Sequence, residues 1–200
     1  MSLWYQCVRN LCRSYFNLCY DVRVSGLEHV PPEGTAFILA SNHVSYYDPP
    51  LIGCQIPHDT HYLARKTLFQ SALMSRLLPS IHAVPVDQEK PDMNGLKNII
   101  HHLRQGHPVL LFPEGSRSYD GQLQPGMPGV GLLVYKTGVP VIPVRLFGVL
   151  ESWPRDGRIQ LFRRMNVVFG PALAPSSSKD YHGITQSIMQ AIAQLQPPSC

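Results

Sequence analysis

Charge is scarce in this chain: 15% of its 200 residues are Asp, Glu, Lys or Arg, and 17 basic against 13 acidic side chains leave a formal +4 at pH 7. That small surplus is spread out, apart from Arg155 to Arg158 and Arg163-Arg164, so it lacks the basic stripe of a nucleic-acid binder, and no nucleic acid is expected as a partner. It suits anionic lipid headgroups or phosphorylated substrates. Long hydrophobic runs are also missing. The run from Gly131 to Leu150 comes closest to the ~18 residues of a spanning helix, but Lys136, Pro140, Pro143 and Arg145 break it, so no transmembrane helix is expected. The five cysteines include neither a C-x-x-C pair nor a Cys/His zinc spacing, and read as free thiols in a reducing compartment. His58 with His61, and His101 with His102, have no third ligand pattern beside them. They read as core or solvent-facing histidines, and no metal site is expected. The first twenty residues lack an alanine-type cleavage site, and the chain has no repeat, low-complexity tract or linker.

What is present is an alternation. Short apolar strands are expected over 21–24, 36–40, 61–64, 82–86, 109–112, 141–147 and 159–169. Helical patterns lie between them, the clearest from Asp92 to Gln105 with Gly106 as its stop; others fall at 66–78, 129–137 and 176–196. This is the pattern of a single α/β domain, with a mixed, mostly parallel central sheet flanked by helices and the 159–169 strand antiparallel. A chain of this length fits one domain with a sizeable core.

Residues 1–20 form an amphipathic helix set before a domain over 21–200. Trp4, Val8, Leu11, Tyr15, Phe16 and Cys19 recur at helical spacing, with Arg9, Arg13 and Asn17 on the other side. Such a helix either caps the core or lies in a membrane interface. Its Trp, Tyr and Arg content favours the interface, which makes the protein peripheral to the cytoplasmic face of a membrane.

His43 and Asp48 stand five positions apart in Ser41-Asn42-His43-Val44-Ser45-Tyr46-Tyr47-Asp48-Pro49-Pro50. On an α-helix that offset separates side chains by about 140°, so the two can meet only across a loop. Pro49-Pro50 fits a helix beginning at the loop's end with Asp48 as its cap. An imidazole oriented by a carboxylate at the end of a strand can act as a general base on a substrate hydroxyl, with no serine or cysteine nucleophile required. A second buried strand, Val109 to Phe112, runs into Pro113-Glu114-Gly115-Ser116-Arg117-Ser118. Loops at the carboxyl ends of strands in an open α/β sheet are where ligands bind, so both loops are expected to line one cleft. There Arg117 can fork onto a phosphate and Gly115 permits close backbone approach.

Asn42-His43-x-x-x-x-Asp48, Phe112-Pro113-Glu114-Gly115-Ser116-Arg117-Ser118 and Val139-Pro140-Val141-Ile142-Pro143-Val144, in that order, resemble the first, third and fourth blocks of the glycerolipid acyltransferase family, which is typified by 1-acyl-glycerol-3-phosphate acyltransferase. The resemblance covers roughly Val22 to Phe169. It implies that His43 deprotonates the acceptor hydroxyl, that this hydroxyl attacks an acyl thioester, and that Asp48 orients the imidazole. It also implies that Glu114, Gly115, Ser116 and Arg117 hold the glycerol phosphate, and that no cofactor or metal takes part. The co-substrate would be acyl-CoA or an acyl carrier protein thioester, and the acceptor a lysophospholipid, first of all lysophosphatidate. The alternatives are another lysolipid acceptor, or a lipid-binding protein that keeps the fold without turnover. One block departs from the family. Ala83-Val84-Pro85-Val86-Asp87 is followed by Gln88 where the family usually carries arginine, so the anion clamp loses a charge that Lys90 or the Arg65-Lys66 pair would have to supply.

Overall fold

The computed structural model describes residues 2–87 and 92–198. The first element is helix α1 (Leu3–Cys19), whose Ser2 side chain accepts the Tyr5 N–H as an N-cap. Then come β1 (Asp21–Ser25), β2 (Ile38–Ser41), α2 (Asp48–Gly53), β3 (His61–Arg65), α3 (Ala72–Ser80), β4 (Ala83–Val86) and α4 (Met93–Arg104). After these follow β5 (Val109–Leu111), α5 (Gly129–Thr137), β6 (Val141–Phe147), α6 (Val149–Ser152), β7 (Arg164–Phe169) and α7 (Tyr181–Gln194). The expected helix over 66–78 divides into a 3-10 turn, Lys66–Gln70, and α3, because Ser71 caps a new helix by accepting the Met74 N–H.

The seven strands form one sheet in the order β1-β7-β6-β2-β5-β3-β4. β6, β2, β5, β3 and β4 are mutually parallel, and β7 runs antiparallel to β6 with β1 parallel to it. The expected strand over 159–169 is thus antiparallel but shorter. Its first half has no neighbouring strand: the Gln160 N–H bonds to Ser152 O and the Phe162 N–H to Cys19 O. Phe162 also sits at φ 61°, where no strand can continue.

β2 lies at the centre, and its alternating side chains feed two cores. Phe37 and Leu39 pack with Phe16, Tyr20, Leu51 and Phe169 on one face of the sheet. Ile38 and Ala40 pack with Ile99, Leu103, Val130, Ile188 and Ile192 on the other. Burial on both faces is what near-continuous apolar runs in parallel strands require. Because β2 and β5 are adjacent and parallel, the loops that follow them leave the sheet on the same edge.

The N-terminal helix has three faces rather than two. Tyr5, Cys12, Phe16 and Cys19 turn inward, the first and third fully buried. Asn10, Arg13 and Asn17 are exposed on a polar side, while Leu3, Trp4, Cys7, Leu11 and Leu18 make a second, outward apolar stripe. The apolar positions that the sequence groups on one side therefore divide between core and surface.

Candidate active site

The loop between β2 and α2 owes its shape to one carboxylate. Asp48 Oδ2 accepts from the backbone N–H groups of Val44 at 2.6 Å and Ser45 at 2.8 Å, and lies 2.7 Å from His43 Nδ1. Asp48 is the first residue of α2 rather than its cap, with Tyr47 in the cap position. The carboxylate turns back into the loop instead of satisfying the helix it begins. Asp48 is fully buried, and burial raises its carboxyl pKa, opposed by the His43 contact and the two backbone donors. When its Nδ1–H donates a hydrogen bond to Asp48, His43 keeps its Nε2 lone pair free, and its ring stacks on Phe112 at 3.9 Å between centroids.

The second loop is tied to the first through Glu114. One carboxylate oxygen accepts the His43 backbone N–H at 3.0 Å and the other the Gln124 N–H at 3.1 Å. The Ser118 N–H reaches His43 O at 2.7 Å. Glu114 is buried, which raises its pKa, and it does not line the cleft. Its loop neighbours Gly115, Ser116 and Arg117 do line the cleft. Gly115 sits at φ 72°, and an added Cβ would stand 2.7 Å from the Met127 sulfur, so the turn requires glycine.

His43 opens onto a cleft of about 510 Å3. Its apolar lining comes from Val8, Cys12, Pro50, Leu63, Leu78 and Ile81, and the Tyr5 and Tyr62 hydroxyls meet at 2.9 Å within the lining. The polar lining contains Arg9, Arg65, Arg117 and Arg155, and no Asp or Glu among the described residues. Arg65 is therefore brought to the site. Lys66 is not, since its ammonium pairs with Asp92 at 3.0 Å. Gln88 and Lys90 lie outside the described residues.

Sequence reasoning missed three contributions. Asn42 pins the loop to β6 by accepting the Leu146 N–H and donating to Leu146 O. Tyr46 carries the Arg117 guanidinium 3.5 Å above its ring. Arg155 reaches the cleft from the segment between α6 and β7, and the only sequence signal for it was its place in a short basic cluster. Of the histidine pairs, His61 stacks on His82 and His102 at the start of β3 while His58 packs on Phe37, and none of these histidines lines the cleft. Among the described residues no group of three or more His, Cys, Asp or Glu is arranged to hold a metal ion. No described helix is long and apolar enough to cross a membrane.

A family model described as Acyltransferase matches residues 21–146, more than half of the chain. The 1-acyl-sn-glycerol-3-phosphate acyltransferase of Bacillus subtilis (strain 168) is 28% identical over 201 residues, an alignment covering 96% of each chain. The chloroplastic 1-acyl-sn-glycerol-3-phosphate acyltransferase BAT2 of Brassica napus is 29% identical over 137 residues, which is 68% of this chain but only 40% of the plant protein. The crystal structure of the 1-acyl-sn-glycerophosphate acyltransferase PlsC from Thermotoga maritima superposes with a TM-score of 0.81 at 22% identity, covering 95% of this chain and 78% of that one. That likeness is one of fold.

Proposed function

Because this chain belongs to the acyltransferase family, we propose that it transfers a fatty acyl chain from an acyl-CoA or acyl-carrier thioester to the free hydroxyl of 1-acyl-glycerol-3-phosphate, giving phosphatidic acid. The single observation that carries this reading is the buried Asp48 carboxylate holding His43 in a cleft lined by both apolar side chains and arginines. His43 Nε2 takes the proton of the acceptor hydroxyl as its oxygen attacks the thioester carbonyl carbon. The C–S bond then breaks, and the departing thiolate takes the proton back from His43. Atoms balance without an acyl-enzyme: thioester and alcohol become ester and thiol. Asp48 keeps the imidazole in the Nδ1–H tautomer and stabilises the imidazolium that forms.

The acceptor assignment follows from charge. A lining with four arginines and, among the described residues, no carboxylate suits a phosphomonoester, and forked guanidinium donors match its oxygens. The apolar lining residues of α1, α2, β3 and α3 suit an acyl chain. The outward stripe of α1, with Leu11 71% and Leu18 82% exposed, supports a peripheral seat on a membrane from which a lipid acceptor is drawn.

Thiol release from an acyl-CoA, measured with purified protein and a panel of lysolipids, tests the proposal. The expected result is acceptor-dependent release, fastest with lysophosphatidate and accompanied by the diacyl product. Absence of transfer to every lysolipid, with intact lipid binding, would make the protein a binder rather than an enzyme.

A further inference from the structure

Arg155 lies beyond the matched residues 21–146 and outside every motif block, yet it is built into the active site. Its Nη1 donates to the backbone oxygen of Arg117 at 3.3 Å, and its guanidinium stacks over Tyr119 at 4.2 Å. The chain is anchored two residues earlier. Trp153 O accepts the Ser45 hydroxyl at 2.8 Å, and the Trp153 ring packs on Tyr46 and Tyr47 at 5.2 and 4.8 Å. Arg155 is thus fixed to the same loop that presents His43. Arg117, its neighbour, has the matching arrangement over Tyr46, and its own Nη1 is buried without a hydrogen-bond partner. A guanidinium held over the face of an aromatic ring still has N–H donors at its edge to offer a ligand. Both side chains line one cleft, with no carboxylate among the described lining residues to neutralise them.

We propose that Arg155 is a specificity residue for the acceptor, closing with Arg117 a two-guanidinium clamp on the phosphomonoester. The proposal rests on the acyl-transfer reading above and deepens it. A phosphomonoester carries nearly two negative charges near neutral pH and three terminal oxygens, more than one guanidinium edge can satisfy. A phosphodiester lysolipid has one charge and two free oxygens, and a monoacylglycerol has neither, so a paired clamp favours the monoester over both. It also gives the site a second fixed cation although the second block supplies an uncharged Gln88.

The test is steady-state kinetics of Arg155→Gln at saturating acyl-CoA, with lysophosphatidate and with monoacylglycerol as acceptors, beside titration calorimetry with glycerol 3-phosphate. Loss of a charge-assisted contact should raise the lysophosphatidate KM by roughly ten-fold or more. The donor KM and turnover on monoacylglycerol should stay near wild type, and glycerol 3-phosphate affinity should fall in step. An unchanged lysophosphatidate KM, or equal losses on both acceptors, overturns the clamp and leaves Arg155 as a tether for the Arg117 carbonyl. A rise confined to the donor KM overturns it in favour of a contact to coenzyme A. Arg155→Lys keeps charge without the fork and is read the same way should Arg155→Gln not fold. Wild-type protein that never acylates lysophosphatidate defeats the functional reading instead, and calorimetry still decides whether Arg155 holds a phosphate.

Discussion

The backbone N–H of His43 donates to Glu114 Oε1 across 3.0 Å, joining residues 71 positions apart in the sequence. The bond runs between the loops that follow two adjacent parallel strands, so Glu114 fixes the height at which the imidazole stands over the cleft. Both of its carboxylate oxygens are engaged by backbone N–H groups, of His43 and of Gln124. Glu114→Ala should leave two backbone N–H groups without acceptors, at about 1–3 kcal/mol each. It should also lower kcat by roughly 100-fold through misplacement of His43, with a smaller change in acceptor KM. Thermal melts and kinetics together check this. A rise in acceptor KM alone, with kcat intact, would return Glu114 to the phosphate.

His43→Ala should reduce acyl transfer by roughly 100- to 10,000-fold, the usual worth of a general base. Asp48→Asn should be about as severe, since an amide can hold the wrong imidazole tautomer and cannot stabilise the imidazolium. It should also destabilise the loop, because Oδ2 accepts from the backbone of both Val44 and Ser45. Turnover and circular dichroism on both variants check these outcomes. Near-normal turnover in folded His43→Ala protein would remove the mechanism.

The two strand-to-loop junctions are legible in the sequence because each is local: a short apolar run, then polar residues whose spacing excludes a helix. The sheet is legible for the same reason. What escapes is long-range. Arg155 gains its place from Trp153 packing against Tyr47, more than a hundred positions earlier, and nothing in its own neighbourhood announces that. Ile159 to Phe162 read as strand because they are largely apolar, yet no strand lies beside them to pair with. α1 reads as having one apolar face because periodicity reports which positions are apolar. It does not report that the core covers Tyr5 and Phe16 and leaves Leu11 and Leu18 bare.

Stability should depend on pH through the histidines at the start of β3. Burial, with His102, His82 and His107 nearby, lowers the His61 pKa to about 3, and the pKa values of His82 and His102 are also lowered by burial. Asp59 opposes the shift at His82, whose ring also stacks on Tyr5. Above the ordinary histidine value of about 6.5 these rings are neutral in both folded and unfolded chains and add no pH dependence. As the pH falls below it, the unfolded chain binds protons that the folded stack refuses, so stability drops through the window from about 6.5 toward about 3. His61→Phe removes the titrating ring and keeps a flat, buried one. Its melting temperature should fall less than that of wild type between pH 8 and pH 5, and parallel curves for the two proteins would show that His61 does not titrate on unfolding.

Membrane contact can be separated from folding by choosing which face of α1 to change. Deleting the helix would strip the buried Tyr5 and Phe16 from the fold, so truncation confounds the two effects. Leu11, Leu18 and Phe162 are 71, 82 and 80% exposed, and the Phe162 N–H bonds to Cys19 O, which sets the 159–162 loop beside the end of the helix. Phe162 is held at φ 61°, a costly conformation for a bulky residue that packs against nothing. Leu11→Ser, Leu18→Ser and Phe162→Ser combined should therefore weaken flotation with phosphatidylglycerol vesicles severalfold while moving the melting temperature little, because surface changes away from packed contacts rarely exceed about 0.5 kcal/mol. Unchanged flotation would assign the membrane seat to another surface, and a large fall in melting temperature would mean that these side chains are covered in solution.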